Sequence, residues 1–168
     1  MNIHAPSLFD DGQIGQLATS TIDHKNVHTT NLVDLMHDGF YIVFLLKNQY
    51  VPSNVENFRE KILNLLNRFE SQARKLQFNY DDIQDAKYAY CALLDETIIT
   101  QQDAHFFDLQ NNWMMCPLQL SLFGSQLAGY RFFETMDEIR SKGKERLMAL
   151  EVYHYCMLLL FLYIVHIS

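Results

Sequence analysis

Asp95 and Glu96 form the one acidic pair in this sequence whose type and spacing could belong to a reactive or binding site. Adjacent residues of a helix point about 100° apart, so the two carboxylates cannot share a proton as an aspartic dyad does. The residues alone leave two interpretations open. Either one carboxylate faces solvent while the other caps or pairs locally, or both contribute to a cleft that selects a basic partner.

A dense basic stretch spans residues 140–146 and contains Arg140, Lys142, Lys144 and Arg146. Such cations are often found near the end of a helix, where they interact favourably with its macrodipole. They could equally contact an acidic partner or anionic lipid headgroups. Arg140, Lys142 and Lys144 are therefore candidate partner-binding residues.

The motifs of common enzyme classes are absent: the sequence has no HExxH, no G-x-S-x-G, no phosphate-binding loop and no G-x-G-x-x-G. His24 and His28 are four residues apart but lack a third ligand, which makes a weak zinc site. Cys91 lies among small and apolar residues of a predicted helix, where a small buried hydrophobe is expected. We therefore predict no catalytic residues, no metal site and no cofactor.

Composition limits the class of protein further. The chain has 168 residues, enough for one domain, and its formal net charge of −7 argues against nucleic acid as a partner. Six Gly and three Pro leave little material for the tight turns of sandwiches and barrels, so helices are expected. Three cysteines without CxxC spacing indicate a reducing compartment.

Apolar spacing predicts the elements that position these residues. Residues 1–30 are polar and are predicted to be a flexible tail, whereas 31–168 form an all-α domain. The helices are expected at about 31–46, 55–76, 79–98, 117–123, 126–141 and 144–168. The first is apolar on more than one face and is expected to be central. Ser53 and Glu56 predict a capping box before the second helix, and 100–112 reads as a loop with a short turn.

The apolar C-terminal stretch bears on membrane association. Its longest uncharged apolar run, 155–165, has eleven residues, well below the ~20 that span a bilayer. No basic segment followed by an apolar one opens the chain, so no signal peptide is expected. The stretch is either a buried final helix or the approach to an anchor beyond residue 168.

Four blocks of residues together resemble the TssL/DotU family, also called IcmH, of bacterial type VI secretion systems and, as relatives, type IVB systems. The first block is Ala86-Lys87-Tyr88-Ala89-Tyr90-Cys91-Ala92-Leu93-Leu94-Asp95-Glu96. The others are Trp113 with Pro117-Leu118 and Phe123-Gly124, then Ala128-Gly129 with Phe132-Phe133-Glu134, and Leu150-Glu151-Val152-Tyr153 with Cys156. The resemblance runs from about Asn31 to Leu159. It departs at Ser125 and Tyr130, where acidic residues are common, and after Leu159, where a glycine-rich aromatic turn is usual.

The resemblance implies an all-α fold of two packed three-helix bundles arranged like a hook, with about six to eight helices. It implies a non-enzymatic component of the type VI membrane complex, at the cytoplasmic face of the bacterial inner membrane. We expect the C-terminal transmembrane anchor of the family not to be present in this chain, and the chain alone to be soluble. Implied partners are the IcmF-like membrane protein TssM, the baseplate components TssK and TssE, and further copies of the chain.

The family match favours the second interpretation of the acidic pair, so Asp95 and Glu96 are predicted to contribute to a partner-binding cleft. Three other functions stay open. The chain could be the DotU component of a type IVB system. It could be a helical metal-dependent enzyme that uses His105 with Asp95 and Glu96. Least expected is a nucleic-acid-binding regulator that acts through residues 140–146, because the net charge is negative.

Overall fold

The computed structural model describes residues 30–124 and 128–166, in which every regular element is helical. Eight α-helices are described: α1 (Leu32–Leu35), α2 (His37–Lys47), α3 (Val55–Lys75), α4 (Tyr80–Ile99), α5 (Phe107–Met115), α6 (Leu118–Phe123), α7 (Ala128–Ser141) and α8 (Leu147–His166). Two 3₁₀ turns, Ala104–Phe106 and Gly143–Arg146, precede α5 and α8. The all-α prediction is confirmed, and the helix count lies within the predicted range. The predicted tail, with His24 and His28, lies outside the described residues apart from Thr30.

Helix α3 follows the apolar stripe that predicted it, because its buried side chains share one face of the helix: Phe58, Ile62, Leu65, Leu66, Phe69 and Ala73. The helix begins at Val55 as expected, but its cap differs from the prediction. Asn54, not Ser53, is the N-cap, and its side chain accepts a hydrogen bond from the backbone N–H of Asn57 at 2.7 Å. The predicted Ser53–Glu56 capping box is therefore wrong, because Asn54 caps the helix in place of Ser53.

Helix α4 is the centre of the fold and contacts every helix from α2 to α8. Helices α2, α3 and α4 contact one another, and α4, α7 and α8 do the same, so α4 belongs to both sets of three. Their apolar side chains join in a continuous core. The prediction that the first helix is central is wrong, because α2 exposes Tyr41 and Phe44 on its outer side.

A close contact fixes α2 on α4. The hydroxyl of buried Tyr90 donates a hydrogen bond to the carbonyl of Gly39 at 3.0 Å. A Cβ atom at residue 39 would lie 2.7 Å from Cε2 of Tyr90. Only glycine lets the two helices approach this closely, because any side chain at 39 would displace the ring.

The predicted loop at 100–112 is partly helical. Asp103 accepts a hydrogen bond from the backbone N–H of His105 at 2.9 Å and begins a 3₁₀ turn that leads into α5. Leu109 and Trp113 are four residues apart and both are buried, so one face of this polar segment packs on the core. Tertiary packing therefore stabilises a helix that the polar sequence of this segment did not predict.

Across the described residues, no helix is both long enough and apolar enough to span a bilayer.

Candidate partner-binding site

Asp95 lies buried on α4 and accepts four hydrogen bonds from α5 and α6. Its Oδ1 accepts from Nε1 of Trp113 at 2.7 Å and from the backbone N–H of Leu118 at 2.9 Å. Its Oδ2 accepts from the backbone N–H of Gln119 at 3.0 Å and from the side-chain Nε2 of Gln119 at 3.2 Å. A single carboxylate thus ties three helices together.

The start of α6 explains why a carboxylate is needed there. The first N–H groups of a helix have no partner inside it, and the N-cap residue Pro117 has no side chain that can accept a hydrogen bond. Asp95 supplies the missing acceptor from another helix. Its negative charge is also favourable at a helix N-terminus, where the macrodipole is positive.

Trp113 extends this network to α3. The indole ring is fully buried, and its centroid lies 5.7 Å from that of the Phe58 ring. The guanidinium carbon of Arg59 lies 4.2 Å from the indole centroid, within the range of a cation–π interaction. The position of α5 is therefore fixed by contacts of one side chain with both α3 and α4.

The electrostatics of Asp95 indicate a structural acceptor. Burial raises the pKa of the Asp95 carboxyl, and the hydrogen bonds from Gln119, Leu118 and Trp113 oppose that rise because they stabilise the charged form. One turn earlier, burial raises the pKa of the Cys91 thiol, so the thiol stays protonated. The prediction that Cys91 is a small buried hydrophobe is confirmed.

Glu96 differs from Asp95 because it is exposed to solvent, whereas Asp95 is only 2% exposed. This arrangement agrees with the interpretation of one solvent-facing carboxylate and one that caps locally. A contribution of the pair to partner binding stays a prediction. For Asp95 that contribution would be indirect, through the position of α5 and α6.

The outer sides of α5 and α6 expose large apolar side chains, namely Phe107, Met114, Met115 and Leu122. Met115 is the most exposed of them, at 83%. Flexible methionines adapt to partner surfaces of varied shape. The helices that Asp95 positions therefore present apolar groups to solvent.

The basic stretch at 140–146 divides into residues with different surroundings. Arg140 is exposed and pairs with Asp137 at 2.7 Å, one turn earlier on α7. Lys142 and Lys144 are exposed at the junction between α7 and α8. Arg146 is buried and takes no part in this surface. Three of the four cations are accessible to a partner, and their contact with one stays a prediction.

Arg146 instead forms a buried ion pair network that sequence reasoning missed. Its Nε donates to the carboxylate of Asp82, which is also buried, and its Nη2 donates to Asp85 at 2.6 Å. Asp82 and Asp85 are three residues apart and so lie on one face of α4. That i, i+3 spacing is the signal in the sequence that indicates a shared cation. The network attaches the start of α8 to α4.

The metal-enzyme alternative receives no support from geometry. His105 is exposed, and its Nδ1 lies 2.6 Å from Oδ1 of Asp103. Within 30–124 and 128–166, no three His, Cys, Asp or Glu side chains are placed to hold a metal ion. His105, Asp95 and Glu96 are therefore not grouped as ligands.

Comparisons with known proteins agree on one family. The family described as "Type VI secretion system protein DotU" matches residues 31–162. A search of curated proteins finds no significant match. The solved structure of the cytoplasmic domain of TssL from Acinetobacter baumannii is 70% identical in sequence, covers 77% of this chain and 81% of its own, and has a TM-score of 0.76.

A second solved structure, SciP/TssL from enteroaggregative Escherichia coli 042, has a TM-score of 0.58 and covers 74% of this chain and 72% of its own. At 19% identity it supports the fold alone. The family match extends over most of the chain and includes the Asp95 network. The chain belongs to the DotU (TssL) family of type VI secretion system proteins.

Proposed function

We propose that this protein is a non-enzymatic structural component of the type VI secretion membrane complex, at the cytoplasmic face of the bacterial inner membrane. Its helical domain docks baseplate components, TssK and TssE, and an IcmF-like membrane protein, TssM, and it associates with further copies of itself. Membership of a family described as a secretion-system protein supports the assignment to this complex. The partners follow from the family resemblance.

The observation that carries the docking proposal is the buried carboxylate of Asp95. It holds the N-terminus of α6 and the indole of Trp113, and the helices so held expose Met114 and Met115. Glu96 adds an exposed negative charge one residue from the network. We assign the contact role to the exposed side chains and a positioning role to Asp95.

Glu96→Lys and Met115→Glu test the contact surface, because both residues are exposed and neither belongs to the core. The two variants and the unmodified chain are purified, and their affinities for TssK and TssE from the same bacterium are measured by calorimetry. We expect each substitution to weaken binding at least tenfold while the free energy of unfolding changes little.

Glu60→Lys is the matched control, since it makes the same charge change at an exposed residue of α3. Binding by Glu96→Lys and Met115→Glu that equals binding by this control would contradict the docking proposal. Charge reversal at Asp95 is a poor test, because it buries a lysine against four hydrogen-bond donors and perturbs the fold itself.

The exposed cations Arg140, Lys142 and Lys144 are proposed as contacts for an acidic partner. Lys144→Glu changes an exposed residue that lies two positions before the buried Arg146, in the same 3₁₀ turn. We expect weaker binding to TssM and unchanged helicity by circular dichroism. Equal binding by the variant and the unmodified chain would remove Lys144 from this surface.

A further inference from the structure

We propose that a groove between the N-terminal half of α4 and the outer face of α7 is a second docking surface, for a basic amphipathic helix of a protein partner. The groove has a volume of about 580 Å³. Residues of α4 on one side and of α7 on the other form its walls: Tyr80, Asp81, Asp85, Tyr130, Glu134 and Glu138. It lies near the opposite end of α4 from Asp95 and does not depend on the docking role proposed there.

The charge of the groove favours a cationic occupant. Asp81, Glu134 and Glu138 form no ion pair or side-chain hydrogen bond with any described residue. Of the cations that line the groove, Arg146 is held by Asp82 and Asp85 at its base. Three carboxylates at the surface therefore have no paired counter-ion among the residues that the structure describes.

The two other cations of the groove, Arg131 and Lys142, form no direct ion pair with these carboxylates within the described part of the chain. The guanidinium of Arg131 lies over the ring of Tyr88, at 5.2 Å from its centroid. Arg131 and Lys142 together are two cations against three carboxylates, so the groove keeps a net negative charge. Complementary charge speeds encounter with a basic partner and selects against acidic ones.

Exposed aromatic side chains provide the apolar part of the surface. Tyr130 is 73% exposed and Phe133 is 49% exposed on α7, and Tyr80 is 58% exposed on α4. A shallower hollow of about 510 Å³ adjoins the groove along α7 and shares Tyr130, Glu134 and Glu138 with it. Aromatic faces beside carboxylates suit guanidinium groups and the aliphatic stems of lysines.

The spacing of the groove residues along α7 favours a helical partner. Tyr130, Phe133, Glu134, Asp137 and Glu138 recur at three- and four-residue intervals, which places them on one face of the helix. A partner helix packed along this face would present cations at i and i+4 and an apolar residue between them. Anionic lipid is disfavoured as the occupant, because the carboxylates repel it.

The test titrates the ¹⁵N-labelled chain with a synthetic 18-residue helical peptide that carries Lys and Arg at i, i+4 beside a Leu stripe. The same peptide with Glu at every cationic position serves as the negative probe. We expect saturable amide shifts at α7 and at the first turns of α4 with the basic peptide, and none with the acidic one. Shifts spread evenly over the chain would overturn the proposal.

Two double variants measure the contributions of charge and of aromatic contact. Glu134→Gln/Glu138→Gln should weaken binding of the basic peptide about fivefold to twentyfold at low salt. Tyr130→Ala/Phe133→Ala should weaken it at high salt as well, where charges are screened. Glu56→Gln/Glu60→Gln removes two exposed carboxylates from α3 and should leave the affinity unchanged.

Other occupants give different results with the same variants. If a second copy fills the groove, sedimentation shows an oligomer that Tyr130→Ala/Phe133→Ala dissociates. If lipid fills it, vesicles with 30% phosphatidylglycerol bind, and Glu134→Gln/Glu138→Gln binds them more tightly. Either result, or equal loss of affinity in the α3 control, would overturn the assignment to a basic protein segment.

Discussion

Replacement of Asp95 by alanine removes the acceptor of four hydrogen bonds and leaves their donors buried. These donors are the indole N–H of Trp113, the backbone N–H groups of Leu118 and Gln119, and the side-chain amide of Gln119. A buried donor left unsatisfied costs about 1–3 kcal/mol. Relaxation, water entry and relief from burial of a charge reduce the sum, so we expect the free energy of unfolding to fall by about 3–5 kcal/mol.

Asparagine at the same position should cost less, for a reason that lies in Gln119. The asparagine oxygen can keep the bonds from Trp113 and Leu118. Its NH₂ group then faces Gln119, whose Oε1 is buried and has no hydrogen-bond partner among the described residues. If the Gln119 amide turns over, Oε1 accepts from the new NH₂ group. The backbone N–H of Gln119 then loses its partner, and Nε2 takes the place at which Oε1 had none. The net change is one lost hydrogen bond, so the expected cost is about 1–3 kcal/mol.

Urea denaturation measures both effects, with fluorescence of the single tryptophan, Trp113, and far-ultraviolet circular dichroism as probes. Glu96→Ala is the control, because it changes the exposed neighbour and should alter stability by less than about 0.5 kcal/mol. A loss under about 1 kcal/mol for Asp95→Ala, or an equal loss for asparagine and alanine, would refute the assigned role of the four bonds.

Two further ionic contacts lead to measurable effects on stability. Arg146→Ala leaves the carboxylate of Asp82 buried without its cation, so it should lower the free energy of unfolding in urea by about 3–5 kcal/mol. Arg140→Ala removes a surface ion pair and should lower it by under about 1 kcal/mol. Similar losses for both variants would contradict the buried network. The hydrogen bond from Lys87 lowers the pKa of Glu70 below its unfolded value of about 4.3. The ionised Glu70 therefore stabilises the fold above that pH, and this stabilisation is lost as the pH falls through the folded pKa. Glu70→Gln should therefore be less stable than the unmodified chain by about 1–2 kcal/mol at pH 7, and the difference should shrink below about pH 4; a constant difference down to pH 3 would disprove the linkage.

The helices that periodicity predicted are those with a strong local pattern. Helix α3 carries an uninterrupted apolar stripe, and the structure reproduces it within a residue or two. Helix α5 was missed because only Leu109 and Trp113 of its nine residues are buried, and polar residues between them resemble a loop. The central position of α4 was not evident, since its burial depends on neighbours that are distant in sequence.

The candidate site was predicted in part. The family resemblance singled out Asp95 and Trp113, which belong to different blocks, but spacing could not show that they bond to each other across eighteen residues of sequence. Arg146 was grouped with Arg140 because the two are close in the chain. A 3₁₀ turn follows α7 and ends at Arg146, so Arg146 is buried whereas Arg140 faces solvent.

Helix α4 also determines the distance between the two proposed docking surfaces. Asp81 and Glu96 are fifteen residues apart on this helix, which corresponds to about 22 Å at 1.5 Å per residue. Tyr80–Ile99 contains no glycine or proline, and neighbouring helices surround it, so it resists bending. The helix therefore holds the two proposed surfaces at a fixed separation. If two connected segments of one partner span that distance, binding of the first would raise the effective concentration of the second at its surface.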